Sequence, residues 1–450
     1  MTARRLAIAI VAGLASGVLP ASAATPRTSQ PRWTRPFALT GFARADLAAP
    51  ILAVSASGAL AVGTDAGNED SVAASTAEVA TANGVVRLAG TEDVRAVADL
   101  SSGFLLLTGT SPAASGVGCC STAAVRTLTG RRLGPATTLF AGLSGAGTGA
   151  LVPSGSGMLA AVGSNTGVWV ATLGAGGAVR ARRMLARTVE QPPQLAAAPL
   201  ASGAAIVAFA DPGADVLPGA GETIRFARPR AGALAANVRT AVVVPAGVQV
   251  GAIAAARDGA GATVAFTESS IDAAGRLRSR VLAADIPAGP AGRVTVEALS
   301  PSSSDAESVA LAASAGGQVA VWQACTPQAT TCTVDAVVRR PGGRWSAPHV
   351  LGTIDPEEFP DVAMSAVGET VVTWVSGGDV RARMLTAPSG RFGPLRTLTH
   401  DGAATSPAVS FATAAGVTAA TAQTGADPGT AIVAWIDGIA RERIEAARLS

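Results

Sequence analysis

Carboxylates are the side chains of this sequence whose types and spacing could support chemistry. The densest group lies in the stretch IDPEEFPD, which contains Asp355, Glu357, Glu358 and Asp361, and Asp305 precedes an earlier apolar run. Two carboxyl groups held several ångströms apart can cleave a glycosidic bond, one acting as acid and the other as base or nucleophile. Carboxylate oxygens also bind calcium. These residues are therefore candidates for either catalysis or binding.

Three interpretations of the acidic residues are open. Solvated loops carry charge without any further role. Alternatively, the carboxylates form a binding face for a glycan, a peptide or a cation such as calcium, and Asp355, Glu358 and Asp361 are then the first residues to mutate. In the third interpretation, two of them act as acid and base in a hydrolase or lyase. No cofactor other than this calcium is expected.

Other catalytic signatures are absent from the sequence. It has no G-x-S-x-G elbow, no Walker loop and no H-E-x-x-H motif. The two histidines, His349 and His400, fall in different repeats and are unsuited to a triad or a zinc site. We therefore predict a protein that is not an enzyme, with the carboxylate hydrolase or lyase as the alternative.

The four cysteines suit an oxidising compartment. Cys325 and Cys332 flank a short segment between two apolar runs, which predicts a disulfide that staples a hairpin. Cys119 and Cys120 are adjacent, and three states stay open for them: a vicinal disulfide, two thiols, or a link to another chain.

The first 23 residues have the features of a signal peptide. Arg4 and Arg5 precede an apolar stretch from Leu6 to Leu19, and Ala21 to Ala23 has the form of a cleavage site. We expect a secreted protein with no membrane span, because no second apolar stretch of sufficient length follows.

We also expect a monomer. The formal net charge is only +3 and the arginines are dispersed, so nucleic acid is not an expected partner. Expected partners are a glycan, a peptide or a component of the cell envelope.

Internal repetition indicates how these residues are positioned. Segments that combine an apolar strand, a Gly turn and a second apolar strand begin near residues 50, 94, 148, 193, 250, 308, 360 and 407. Apolar runs with β-branched residues, bounded by Gly and Pro, are typical of buried strands. The copy at 148–163 is weaker, which leaves seven units as the alternative to eight.

Each repeat has a second half with two further strands. The third strand carries alternating arginines, as in DVRARML, where Arg381 and Arg383 are expected to form a solvated rim. The fourth strand is typified by GRWSAPHVL and GRFGPLRTL. Four antiparallel strands in about 50 residues are the period of a β-propeller blade. The sequence thus predicts an all-β, eight-bladed β-propeller over residues 24–450, with blades at about 46–93, 94–142, 143–188, 189–245, 246–300, 301–353, 354–406 and 407–450.

Large aromatic residues end several second strands. Blades diverge away from the axis, so the gaps between them widen and need larger side chains. Trp322, Trp374 and Trp435, with Phe209 and Phe266, are therefore predicted to be core residues and not a binding platform.

The last repeat stops after its third strand, and the N-terminal stretch PRWTRPFALTG at 31–41 has the missing fourth-strand pattern. We expect this segment to close the ring by completing the eighth blade, because closure leaves no unpaired sheet edge. Trp33 should then occupy in the eighth blade the site that Trp345 fills in the sixth and Phe392 in the seventh.

Over nearly the whole chain after the signal peptide, the PDVAMSAVGETVVTW pattern and the RWSAP strand resemble the sialidase-like, BNR-type β-propellers of exported bacterial proteins. The resemblance implies that ligands bind on the face formed by the loops that enter each first strand and join each second to third strand, which we call the loop face. Those loops contain Asp65, Glu69, Asp70, Asp211, Asp305, Glu307, Asp355, Glu357, Glu358 and Asp361.

Two departures from that family bear on function. The chain has no Ser-x-Asp-x-Gly-x-Thr-Trp box and no tyrosine, so it lacks the nucleophile of sialidase catalysis. The sequence therefore predicts a secreted, non-enzymatic propeller that serves as an extracellular recognition or scaffold module.

Overall fold

The computed structural model describes residues 32–40, 46–47, 50–55, 59–68, 71–81, 83–88, 92–100, 102–110, 121–144, 147–188, 193–211, 222–230, 234, 237–289, 292–302, 305–326, 331–386, 390–411, 431–438 and 442–449. Residues Trp33–Ser450 belong to one compact unit. In the described ranges all regular elements are β-strands, and none of these residues forms a helix with the length and apolar character of a membrane span.

Strands β1 to β15 belong to the N-terminal segment and the first three blades. Their bounds are β1 (Phe37–Ala38), β2 (Asp46–Leu47), β3 (Ile51–Val54), β4 (Leu60–Asn68), β5 (Ser71–Thr81), β6 (Gly84–Arg87), β7 (Glu92–Leu100), β8 (Gly103–Thr110), β9 (Ser121–Thr129), β10 (Arg132–Leu133), β11 (Thr137–Leu143), β12 (Gly149–Ser154), β13 (Gly157–Ser164), β14 (Gly167–Leu173) and β15 (Val179–Ala186).

Strands β16 to β34 belong to blades 4 to 8. Their bounds are β16 (Leu195–Pro199), β17 (Ala205–Asp211), β18 (Thr223–Ala227), β19 (Arg239–Val243), β20 (Gln249–Asp258), β21 (Gly261–Ile271), β22 (Leu277–Ile286), β23 (Thr295–Ala298), β24 (Asp305–Ser314), β25 (Gly317–Cys325), β26 (Cys332–Arg339), β27 (His349–Ile354), β28 (Asp361–Met364), β29 (Thr370–Ser376), β30 (Asp379–Leu385), β31 (Arg396–Thr397), β32 (Ala404–Phe411), β33 (Ala431–Asp437) and β34 (Arg443–Leu449).

The strands form eight antiparallel sheets, and the first strand of each sheet lies beside the first strand of the next. The series β3, β7, β12, β16, β20, β24, β28 and β32 returns to β3, so the sheets form a ring. An eight-bladed β-propeller is therefore confirmed. The weak repeat builds the complete sheet β12 to β15, which excludes the seven-bladed alternative. The approximate blade bounds at 93/94 and 406/407 fall inside β7 and β32.

Apolar clusters between neighbouring blades form the core. The cluster that joins blades 8 and 1 contains Val54, Leu60, Val62, Ile432 and Ile436, which shows that the ring is closed by packing as well as by topology. The second strands are buried along almost their whole length, because a blade lies on each side of them. The aromatic residues Trp322, Trp374, Trp435, Phe209 and Phe266 are fully buried there.

The N-terminal segment supplies the outer strand of blade 8, as the sequence predicts. Strand β1 pairs with β34, with Phe37 opposite Ala446 and Ala38 opposite Glu445. Trp33 forms a β-bridge with Leu449, which is the last residue of β34, the third strand of blade 8. The bridges of Trp345 with Arg339 and of Phe392 with Leu385 occupy the same position in blades 6 and 7. The three aromatic residues are thus structurally equivalent.

The predicted disulfide is present between Cys325 and Cys332, whose Cα atoms are 4.2 Å apart. The two residues are opposite partners in the β25–β26 hairpin, so the bond closes its loop end. Cys119 and Cys120 lie outside the described residues.

The expected solvated rim of third-strand arginines is only partly present: the Arg280 side chain is 45% exposed, but other third-strand arginines are more covered. Arg381 is only partly exposed and pairs with Asp379 at 3.3 Å, and the Nε of Arg383 is buried. Arg339, at the end of β26, has a side chain only 7% exposed and pairs with Asp285 at 2.6 Å. Blade 5 approaches closely enough to cover Arg339, which the alternation of residues along a single strand does not reveal.

Candidate functional site

The five candidate carboxylate residues lie on the loop face of blades 6 and 7. Asp355, Glu357 and Glu358 follow β27 and lead into blade 7, Asp361 begins β28, and Asp305 begins β24. The structure therefore places all five at the same end of neighbouring blades. Asp65 belongs to β4, and Glu69 and Asp70 lie outside the described residues.

Asp355 organises the loops of blade 7. Its two carboxylate oxygens accept hydrogen bonds from the backbone N–H groups of Gly377 and Gly378 at 2.7 and 2.8 Å. Its own N–H donates to the carbonyl of Val375 at 3.0 Å. Gln323 of blade 6 donates its side-chain amide to the Asp355 carbonyl at 3.1 Å. Asp355 thus holds a tight turn with both oxygens, which leaves it poorly suited to act as a catalytic base.

Glu358 and Asp361 link blade 7 to blade 8. Glu358 accepts a hydrogen bond from the N–H of Ser406 at 2.9 Å, and Asp361 accepts one from the N–H of Val409 at 2.8 Å. Both donors belong to the inner strand β32. The second oxygen of Asp361 accepts from the N–H of Val362. These carboxylates therefore stabilise the contact between two inner strands.

Burial dominates the titration of both residues. It raises the pKa of Asp361 to about 6, although the N–H groups of Val409 and Val362 act in the opposite direction. Burial also raises the pKa of Glu358, which the N–H of Ser406 lowers and the charge of Asp355 raises further. The charged form of Asp361 is thus less favourable in the folded protein than in water.

The pKa of Asp361 predicts a pH dependence of stability. Because the folded-state pKa is about 6 and the unfolded value is about 3.9, the stabilising contribution is complete below about pH 4 and is lost as the pH rises through about 6. Asp361→Asn should remove this slope, which amounts to at most about 3 kcal/mol. Thermal unfolding between about pH 4 and pH 7.5 measures it, with exposed Glu297→Gln as control. Parallel pH profiles for the wild type and Asp361→Asn would contradict the assignment.

Among the described residues, three that are not glycine adopt left-handed backbone conformations, and all lie on the loop face of blades 6 to 8. They are Ser308, Glu357 and Ser406, with φ of 46°, 69° and 49°. Such conformations cost about 1–3 kcal/mol each and cluster at functional sites. Ser308 and Ser406 coincide with register shifts at the start of β24 and β32. Glu357 is exposed, and Phe359, two residues later, is 53% exposed.

The start of β24 contains polar atoms without partners among the described residues. Oδ1 of Asp305 and Oγ of Ser308 are both buried and accept or donate no hydrogen bond there. Glu307 lies between them and is exposed as a residue, but partial desolvation of its carboxyl and the charge of Asp305 raise its pKa. A buried oxygen left unpaired costs about 1–3 kcal/mol. This short segment therefore combines unsatisfied polar groups with a strained backbone.

The sequence analysis missed a second acidic group on the loop face of blade 8. Asp437 and Glu445 are buried, and both pair with Arg443, at 3.0 and 2.5 Å. Burial and the neighbouring charge of Asp401 raise the pKa of Asp437, and burial and Asp437 raise that of Glu445. Burial and the charge of Asp401 thus make the charged form of Asp437 less favourable than it is in water.

A sequence signal for this group exists. Asp437 lies two residues after the second-strand aromatic Trp435, and Asp211 and Glu268 lie two residues after Phe209 and Phe266. Each of these acids pairs with an arginine of the third strand: Arg225 with Asp211 at 2.5 Å and Arg280 with Glu268 at 2.7 Å. The repeated aromatic-x-acid pattern, read with the third-strand arginines, predicts these ion pairs.

No group of three or more His, Cys, Asp or Glu side chains in the described ranges has a geometry that could hold a metal ion. The Asp305, Asp355, Glu358 and Asp361 carboxylates therefore do not converge on a common cation position there.

Comparisons with known proteins support the fold. Neither the protein-family models nor the curated proteins contain a match to this chain. Among solved structures, the Dos1 propeller is 11% identical with a TM-score of 0.53, over 94% of this chain and 95% of that one. An α-L-arabinanase of Penicillium chrysogenum is 9% identical with a TM-score of 0.37, over 73% of this chain and 89% of that one. A prolyl endopeptidase is 13% identical with a TM-score of 0.44 over 89% of this chain, which spans only 54% of the peptidase.

Proposed function

We propose that this protein is an exported, non-enzymatic recognition module whose loop face on blades 6 and 7 binds a polyhydroxylated ligand, a glycan. The observation that carries the proposal is the start of β24, where Oδ1 of Asp305 and Oγ of Ser308 are buried and have no partner among the described residues. The N-terminal sequence, with Arg4 and Arg5 before an apolar stretch, supports export.

The unsatisfied oxygens indicate what the ligand must supply. A carboxylate oxygen accepts hydrogen bonds only, whereas a serine hydroxyl donates one and accepts others. Sugar hydroxyls are both donors and acceptors, so they match the hydrogen-bonding chemistry of both groups. The left-handed backbone of Ser308 adds strain that the protein tolerates at this point. The exposed ring of Phe359, on the loop into blade 7, offers an apolar surface for a sugar face.

The hydrogen-bonding of the remaining carboxylates argues for binding rather than hydrolysis. Asp355, Glu358 and Asp361 use their oxygens to hold backbone N–H groups. A glycoside hydrolase needs one carboxyl group free to give a proton and a second free to activate water or attack the sugar. These three residues do not offer that pair.

A carbohydrate-active hydrolase or lyase is the second candidate, and the Asp401–Asp437 pair favours it. Two adjacent carboxyl groups with one raised pKa are the usual basis of acid and base assignments. The pair of Asp437 with Arg443 at 3.0 Å opposes this role, because the arginine favours the charged carboxylate.

Binding is tested with an array of cell-wall and storage polysaccharides. We expect the wild type to be retained on at least one of them, and Asp305→Ala and Ser308→Gly to weaken retention by at least about tenfold, the loss of one to two hydrogen bonds to a charged or hydroxyl partner. Ser308→Gly should also raise the melting temperature, because glycine adopts the left-handed conformation without strain. Glu297→Gln, on the exposed outer strand β23, is the control and should bind as the wild type does.

Several outcomes would contradict the proposal. Retention of Asp305→Ala and Ser308→Gly at the wild-type level would exclude β24 as the site. A calcium-dependent rise in melting temperature without polysaccharide retention would favour a cation instead. Release of reducing ends from a retained polysaccharide, lost in Asp437→Asn, would establish the hydrolase.

A further inference from the structure

A basic pocket lies between blades 6 and 7 on the opposite face, where the third strands turn into the fourth. Its volume is about 310 Å³, and its walls include Arg340, Arg344, His349, Ser346 and Gly390. We infer that this pocket binds a tetrahedral oxyanion, a phosphate or sulfate group, either free or as a monoester on a larger molecule. The pocket lies on the face of the propeller opposite the start of β24, so it is independent of the proposed glycan function.

Charge is the first argument. Arg340 and Arg344 contribute two cations and His349 contributes an imidazole, and none of the described lining residues is acidic. Within the described part of the chain, no carboxylate forms a salt bridge with Arg340 or Arg344, whereas Arg126, Arg225, Arg280 and Arg443 each have an acidic partner. The planar guanidinium of an arginine that has no carboxylate partner can donate two parallel hydrogen bonds to two oxygens of a phosphate or sulfate group.

Local structure explains why these cations meet. Arg339 is directed into the core, where its guanidinium lies 4.8 Å from the ring centroid of Trp345. Since side chains alternate along a strand, Arg340 emerges on the other side, towards blade 7. A tight turn then reverses the chain, with Gly342 at φ 67° and the N–H of Gly343 donating to the carbonyl of Arg340 at 2.9 Å. The turn returns Arg344 and then His349 to the same side.

Blade 7 leaves room for a ligand beside these groups. Gly390 has φ of 64°, and a Cβ atom there would lie 3.6 Å from an Nη atom of Arg340. A larger side chain would therefore narrow the opening. Ser346 also lines the pocket, and its hydroxyl accepts from the N–H of Val338 at 3.0 Å and donates to the carbonyl of Ala347 at 2.9 Å. The volume is within the range of small-ligand pockets.

Isothermal titration calorimetry with inorganic phosphate, inorganic sulfate and a poly(glycerol phosphate) chain tests the inference on the full chain. We expect at least one of them to bind, and the double variant Arg340→Ala/Arg344→Ala to weaken binding by at least about tenfold through loss of two charge-assisted contacts. The double variant Arg180→Ala/Arg183→Ala removes the same charge from exposed positions of β15 and should stay within about twofold of the wild type.

The outcomes separate the sources of the anion. Binding of inorganic phosphate as tight as that of the polymer supports a site for free oxyanions, and tighter binding of the polymer supports a site for a phosphate-bearing chain. Absence of binding by all three probes overturns the inference. Equal weakening by the two double variants also overturns it, because the interaction would then depend on net charge alone. Thermal unfolding of both variants verifies that they are folded.

Discussion

Removal of residues 31–41 should lower the melting temperature by at least about 10 °C or prevent folding. The segment provides an entire outer strand, and its contacts with β34 extend from Trp33 to Thr40. The N–H groups of Thr34 and Leu39 donate to Arg448 and Ile444 at 2.8 Å, and the Thr40 and Thr34 hydroxyls accept from Ile444 and Arg448 at 2.8 and 3.0 Å. At about 1 kcal/mol for each hydrogen bond, the loss is on the order of 5 kcal/mol before packing is counted.

The exposed edge of β34 gives the deletion a second effect. An unpaired strand edge recruits other chains, so the variant should also aggregate at lower protein concentration. The control is a variant that lacks only residues 1–30. A synthetic peptide of residues 31–41, added to the deletion variant, should restore part of the lost melting temperature. A deletion variant with the same melting temperature as the parent would contradict closure of the ring by this strand.

Arg339→Met should lower the free energy of unfolding by about 3 kcal/mol. The guanidinium pairs with Asp285 at 2.6 Å and Asp258 at 3.0 Å, and it donates to Gln318 and Thr263. These groups come from blades 5 and 6, so the hydrogen bonds and ion pairs of the arginine link the two blades close to the turns between their strands. Both carboxylates are partly exposed, which reduces the cost of leaving them without the arginine.

Arg340→Met is the matched control, since Arg340 is the next residue and is exposed. It should change the free energy of unfolding by less than about 0.5 kcal/mol. Urea unfolding of both variants measures the difference. Adding Asp285→Asn to Arg339→Met should recover stability, because the uncompensated carboxylate is removed. Equal stability of the two methionine variants would show that the buried pair contributes nothing measurable.

Much of the fold follows from local and periodic signals. The repeated strand–turn–strand segments predict eight blades, and the truncated last repeat together with the N-terminal strand pattern predicts the closure. The Cys325–Cys332 bond follows from two cysteines that flank one hairpin loop. Each of these signals lies within one repeat or appears when repeats are compared. The fold can therefore be predicted without knowing the contacts between blades.

The site depends on contacts that the sequence does not record. That Glu358 and Asp361 accept hydrogen bonds from β32 follows from how blade 7 sits against blade 8, and the two partners are far apart in the chain. Grouping the acidic residues by the loop that contains them therefore does not identify their hydrogen-bond partners. The burial of Arg339 is likewise not evident from the sequence, because it depends on contacts with blade 5. The acids after the second-strand aromatics were predictable from the repeat pattern.

Hydrogen–deuterium exchange with and without the retained polysaccharide tests most directly the claim that the loop face of blades 6 and 7 binds a glycan. We predict slower exchange at the backbone amides of residues 305–309 and 355–361, with no change on the outer strands or on the face that carries Arg340. The same protection should be lost in Asp305→Ala. Protection confined to the outer strands, to the opposite face or to blades 1 to 4 would contradict the account.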